Sequence, residues 1–118
     1  MKPVKVSFMG DGAHGWEKLN KAVAEERAKG INNSENQQLL KSIKQKIELI
    51  KINPQYGSSV PKKLIPKKFY VDNLWVVDLT GYWRMLYTLK GTQIEILCFI
   101  LEICDHNEYN KLFGYRKK

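Results

Sequence analysis

Three apolar, β-branched runs fill the second half of the chain, and the links between them are too short for any pairing but an antiparallel one. Leu74 to Leu79 reads LWVVDL, Tyr82 to Leu89 reads YWRMLYTL and Ile94 to Leu101 reads IEILCFIL. Thr80-Gly81 and Lys90-Gly91-Thr92 stand between them as turns, with Asp72-Asn73 before the first. A parallel pair would need a crossover of about a dozen residues. The second run alternates with period two. The third is nearly all apolar, as expected of a central strand covered on both faces. A sheet with an apolar face needs a second layer against it.

The first half supplies that layer. Val4 to Phe8 alternates and reads as a short strand, and Gly10-Asp11-Gly12 breaks it. From Gly15 to Lys29, Trp16, Leu19, Val23 and Ala24 recur at helical spacing, and Gly30 marks a stop. Ser34 is a good N-cap for a second helix. Leu39, Leu40, Ile43, Ile47, Leu49 and Ile50 form its wide apolar stripe, with Lys41, Lys44 and Lys46 off the stripe or at its edge. Asn53-Pro54 closes it, because the residue before proline disfavours helical geometry. The short link makes an antiparallel helical pair. Tyr56 to Lys68 is a basic, irregular connector with Pro61, Pro66 and the lysines Lys62, Lys63, Lys67 and Lys68. After the sheet, His106 to Phe113 allows one or two helical turns, Gly114 ends them, and Arg116-Lys117-Lys118 follow. The expected architecture is α+β: an N-terminal strand and a helical hairpin packed on an antiparallel sheet of about four strands.

At 118 residues the chain is one domain, too short for a doubly wound nucleotide-binding fold with a separate substrate domain. Hydrophobic residues make up 43%, enough for a packed core. No apolar run approaches the roughly 20 residues of a membrane helix, and the N-terminus does not read as a secretory signal. A cytoplasmic protein without a membrane partner is expected. Cys98 and Cys104 would lie about 20 Å apart along a straight strand, beyond the ~7 Å limit for a disulfide, so buried free thiols are expected. Cys104, Asp105 and His106, with Glu102 nearby, point in different directions along a strand, and no second cluster completes a tetrahedral set, so no metal is expected. Gly10-x-Gly12-x-x-Gly15 has the spacing of a dinucleotide fingerprint but lacks the parallel strand unit that must follow it, and His14 reads as a loop residue.

One residue on the second strand stands out. Trp83, Met85, Tyr87 and Leu89 share one face and look like core; Tyr82, Arg84, Leu86 and Thr88 share the other. An arginine there is solvated, paired with a carboxylate such as Asp78 on the neighbouring strand, or placed to hold an anion. The stretch Leu74 to Leu79, a turn, then Tyr82-Trp83-Arg84-Met85-Leu86-Tyr87 resembles the heart of the RelE/ParE toxin superfamily. There an apolar strand, a turn and a Tyr/Trp-Arg-apolar-x-Tyr strand precede a further apolar strand and a His- or Arg-containing segment ending near a Tyr. The matching residues here are Phe99 to Ile103 and Asp105-His106-Asn107-Glu108-Tyr109.

The resemblance implies the toxin of a toxin–antitoxin pair. Its RelE-type reading is a metal-independent endoribonuclease without a cofactor that cuts mRNA at the ribosome and is silenced by a cognate antitoxin protein. The alternatives are a ParE-like, non-cutting inhibitor of DNA gyrase and a catalytically weak relative that binds RNA or a partner. Cleavage without metal uses the ribose 2′-OH as nucleophile and needs proton transfer and positive charge at the phosphorane. The resemblance assigns Arg84 to the phosphate, His106 to acid–base work and Tyr109 to stacking on a base or orienting the phosphate. Guanidinium suits the first role by its planar fork, and histidine suits the second because it changes protonation near neutral pH. The strand Val76-Val77-Asp78 departs from the pattern: the most active RelE-type enzymes carry two lysines there. Lys62, Lys63, Lys67 and Lys68, with Arg116 and Lys117 in the tail, are the candidate RNA-binding cations, consistent with a net charge of +8; such clusters also serve solubility.

Overall fold

The computed structural model describes residues 2–114. Strand β1 (Val4–Phe8) leads into helix α1 (Gly10–Ala28), which pairs with α2 (Glu35–Ile52). The connector carries a two-residue strand β2 (Ser58–Ser59) and two single 3₁₀ turns, Lys62–Leu64 and Lys67–Phe69. Strand β3 (Trp75–Asp78), a 3₁₀ turn (Thr80–Tyr82), β4 (Arg84–Gly91), β5 (Ile96–Cys104) and helix α3 (His106–Leu112) complete the order. The sheet runs β1-β5-β4-β3-β2. Its β3–β4–β5 meander is antiparallel, as the short links require, but β1 joins the far edge parallel to β5, with Val6 opposite Cys98. The α1–α2 pair makes that parallel closure possible by carrying the chain across the sheet. The α+β architecture is therefore as expected, with a mixed sheet and one more short strand.

Both long helices bury one stripe on one face of the sheet. Leu19 and Val23 of α1, with Leu39, Leu40, Ile43 and Ile50 of α2, meet Val77, Met85, Tyr87, Cys98, Ile100 and Ile103. Each such buried side chain contributes about 1.5–3 kcal/mol of transfer free energy. Ser34 caps α2 through the Gln37 N–H, and its hydroxyl also donates to the Glu26 carboxylate on α1. That bond, reinforced by Asn36 and Gln37, lowers the Glu26 pKa and ties the helical turn together.

Four local readings are corrected. Helix α1 begins at Gly10, not Gly15, so the glycine cluster and His14 belong to its first turns. Gly12 is required there for close approach: a Cβ would lie 2.3 Å from the Ile100 carbonyl oxygen. Strand β4 begins at Arg84, because Tyr82 turns into the left-handed region at φ 63°. Strand β5 continues to Cys104 and does not stop at Leu101. Finally, β5 is fully covered on one face only; Leu97, Phe99 and Leu101 are half-exposed. The β4–β5 register slips between Leu86 and Tyr87, opposite Glu102 and Ile100, which leaves Leu101 as an extra residue. This bulge inverts the alternation, so Ile100 and Ile103 both reach the core.

Candidate functional site

The site is assembled where β3, β4 and the β5–α3 junction meet. Asp78 and Arg84 are direct cross-strand partners, so their side chains emerge on the same face. The Arg84 Nε donates to Asp78 Oδ1 at 3.2 Å. Arg84 is also paired in register with Cys104, the last residue of β5. Asp105 then caps α3 with a full capping box: its carboxylate accepts from the Glu108 N–H, and the Glu108 side chain reaches back to the Asp105 N–H. The cap starts the helix at once, and His106, Tyr109 and Asn110 follow at the i, i+3, i+4 spacing that shares one helical face. That face meets the arginine.

The three residues assigned to chemistry are thereby brought together. Arg84 Nη1 lies 3.3 Å from His106 Nδ1, and its guanidinium carbon sits 4.4 Å from the centre of the Tyr109 ring. The Tyr109 ring in turn packs on Phe113 at 4.7 Å. Guanidinium has no acceptor, so this contact is a hydrogen bond in the tautomer that leaves a lone pair on Nδ1. On the other side of the ring, Asn110 Nδ2 lies 3.2 Å from His106 Nε2. Arg84 is thus oriented from three sides, yet a quarter of its side chain remains accessible, and Asp78 is 84% exposed.

Beside this cluster is a cleft of about 500 Å³ walled by Ser58, Ser59, Val76, Asp78, Arg84 and Tyr109. Two further residues line it that sequence reasoning did not single out: Lys46 of α2 and Tyr56 at the start of the connector. The Lys46 Nζ donates to the Tyr56 hydroxyl at 3.3 Å. The one available signal was that Lys46 stands at the edge of the α2 stripe, facing where the connector returns.

The connector lysines are placed elsewhere. Lys62, Lys63 and Lys67 are exposed and do not line the cleft. Lys68 pairs with Asp11 at 3.2 Å and Glu102 at 3.3 Å beside a separate hollow under α1. Burial alone would lower the Lys68 pKa; the two carboxylates more than offset it and raise the pKa. Glu102 is raised by burial, which the Lys68 charge opposes. Arg116 and Lys117 lie outside the described residues. Cys98 and Cys104 are free, buried thiols that burial pushes up to about 12. Among the described residues no group of three or more His, Cys, Asp or Glu is placed to hold a metal ion, and no helix is long and apolar enough to cross a membrane.

A helical pair lies on one face of a five-stranded sheet, and a short C-terminal helix is set against Arg84; the fold is RelE/ParE-like. Among solved structures the chain is similar to the YoeB/ParE toxin from Agrobacterium tumefaciens, with a TM-score of 0.58 at 15% sequence identity. The match covers 86% of this chain and 98% of that one. At that identity the likeness is one of fold. No protein-family model matches the chain, and neither does any curated protein.

Proposed function

We propose that the protein is the toxin of a toxin–antitoxin pair and acts as a metal-independent endoribonuclease on mRNA at the ribosome. The observation that carries this reading is the convergence of Arg84, His106 and Tyr109 at one end of the sheet, beside an open cleft. In the reaction His106 Nδ1 takes the proton of a ribose 2′-OH once Arg84 turns from the ring onto the phosphate. The 2′-oxygen bonds to phosphorus and the P–O5′ bond breaks. Solvent protonates the leaving O5′ and removes the proton from the imidazolium, so no proton is consumed. The products are a 2′,3′-cyclic phosphate and a 5′-hydroxyl. Arg84 stabilises the added charge on the phosphorane, Asp78 holds its Nε, and Tyr109 offers a ring face to the guanidinium or to a base. The cognate antitoxin would be acidic, complementing the +8 charge.

The test is cleavage of end-labelled RNA with ribosomes present, reading the termini formed. Wild type is expected to leave cyclic phosphates and to spare substrate whose 2′-hydroxyls are blocked. Arg84→Ala is expected to lose roughly 10²–10³-fold in rate and to lose growth inhibition while remaining folded. Wild-type cleavage by Arg84→Ala would remove the mechanism. Intact RNA with accumulating gyrase-linked DNA breaks would replace it with the ParE-like reading.

A further inference from the structure

We propose that Lys46, seated against Tyr56, is a second phosphate subsite of the cleft and takes the phosphodiester next to the one held by Arg84; this rests on the nuclease reading above. Three observations converge on it. The charged residues lining the cleft are Lys46, Asp78 and Arg84. Asp78 is paired with Arg84, so the local charge of that pair is balanced and Lys46 decides the sign of the cleft. Without it a polyanion would enter a locally neutral hollow; with it the hollow carries one net positive charge.

The second observation is how Lys46 is held. Among the described residues it has no carboxylate partner within ion-pair distance, whereas Lys5, Lys51 and Lys68 all do. It is half-buried, its ammonium donates to the Tyr56 hydroxyl, and it lies 5.5 Å from the centre of that ring. A neutral phenol restrains the side chain without cancelling its charge. Two of its three ammonium protons stay available for an anion. The third is placement: strand β3 lines the cleft with Val76, Val77 and Asp78 and gives it no cation, and Lys46 reaches the same cleft from helix α2. The cation is supplied from the neighbouring layer. Tyr56 lends an exposed aromatic ring beside it, suited to a stacked base.

The experiment measures binding of a short, fluorescently labelled single-stranded RNA with 2′-O-methyl groups throughout, which cannot be cut, over a range of salt concentrations. Lys46→Gln is expected to weaken the Kd roughly three- to tenfold and to reduce the salt slope by about 0.7, the value of one phosphate contact on a single strand. Lys46→Arg should restore both. Lys44→Gln makes the same charge change on α2 but outside the cleft, and should bind like wild type. Equal losses in Lys46→Gln and Lys44→Gln would mean only long-range charge and would overturn the subsite. So would a Lys46→Gln protein that binds like wild type while Arg84→Ala binds weakly, which leaves the nuclease reading standing. A wild-type protein that does not bind the probe would overturn the subsite, while the cleavage assay with ribosomes decides the nuclease reading separately.

Discussion

Gly12 and Gly15 stand three residues apart in the same helix, and the structure assigns them opposite responses to the same substitution. At Gly12 an added methyl would lie 2.3 Å from the Ile100 carbonyl oxygen and 2.9 Å from the carbonyl carbons of Ile100 and Leu101. All three obstacles are backbone of β5, at the bulge that sets the core register. The helix would have to retreat by at least 0.7 Å to bring the 2.3 Å contact to the 3.0 Å below which real contacts are essentially not seen. Overpacking of this kind costs about 1–3 kcal/mol, and an obstacle that cannot rotate away puts Gly12 at the upper end. Alanine returns at most about 1 kcal/mol through helix propensity. The net is a loss of about 2 kcal/mol, or a fall in Tm of roughly 5–10 °C for a chain this size. At Gly15 nothing lies within 4 Å of the added atom, so propensity acts alone and Gly15→Ala should gain about 0.5–1 kcal/mol. Thermal and urea unfolding of the two variants checks both signs. A Gly12→Ala protein as stable as wild type would refute the packing of α1 on β5.

Other expectations follow from buried polar groups. Tyr87→Phe removes a hydroxyl that donates to the Pro54 carbonyl at 2.7 Å and accepts from the Gly57 N–H at 3.0 Å; stranding those two groups should cost about 1–3 kcal/mol in urea unfolding. The Cys98 and Cys104 thiols rise from 9.0 to about 12 on folding because they are buried. Above pH 9 the unfolded chain therefore binds fewer protons than the folded one, and stability should fall as pH rises from 9 through 12. Melts of wild type against a Cys98→Ala, Cys104→Ala double variant should differ in slope over that window and not below it. A thiol reagent should label neither cysteine in the native protein at neutral pH.

Much of the architecture is legible along the chain because it depends on neighbours. Period-two alternation around Met85 and Tyr87, helical spacing of Leu39, Ile43 and Ile50, the Ser34 cap and the short turns all act over a few residues. The errors lie where a distant group decides. The cluster at Gly10 to Gly15 looks like a breaker until β5 is known to run against it. Strand β5 reaches Cys104 through a bulge that no periodicity announces, because one extra residue reverses the pattern it interrupts. The parallel partner of β1 is invisible as well, since nothing in Val4 to Phe8 encodes which edge it joins.

For the candidate site the same division holds. Arg84, His106 and Tyr109 can be picked out by residue type and by resemblance, and the capping box from Asp105 to Glu108 is written in consecutive residues. What the sequence alone determined is therefore the elements, the apolar stripes and the chemical inventory, all set by local sterics and hydrogen bonding. Only the tertiary structure decided which cations face the cleft. It drew Lys68 into a bridge between α1 and β5 and brought Lys46 in from α2, because Coulomb attraction depends on distances in space that chain separation does not specify.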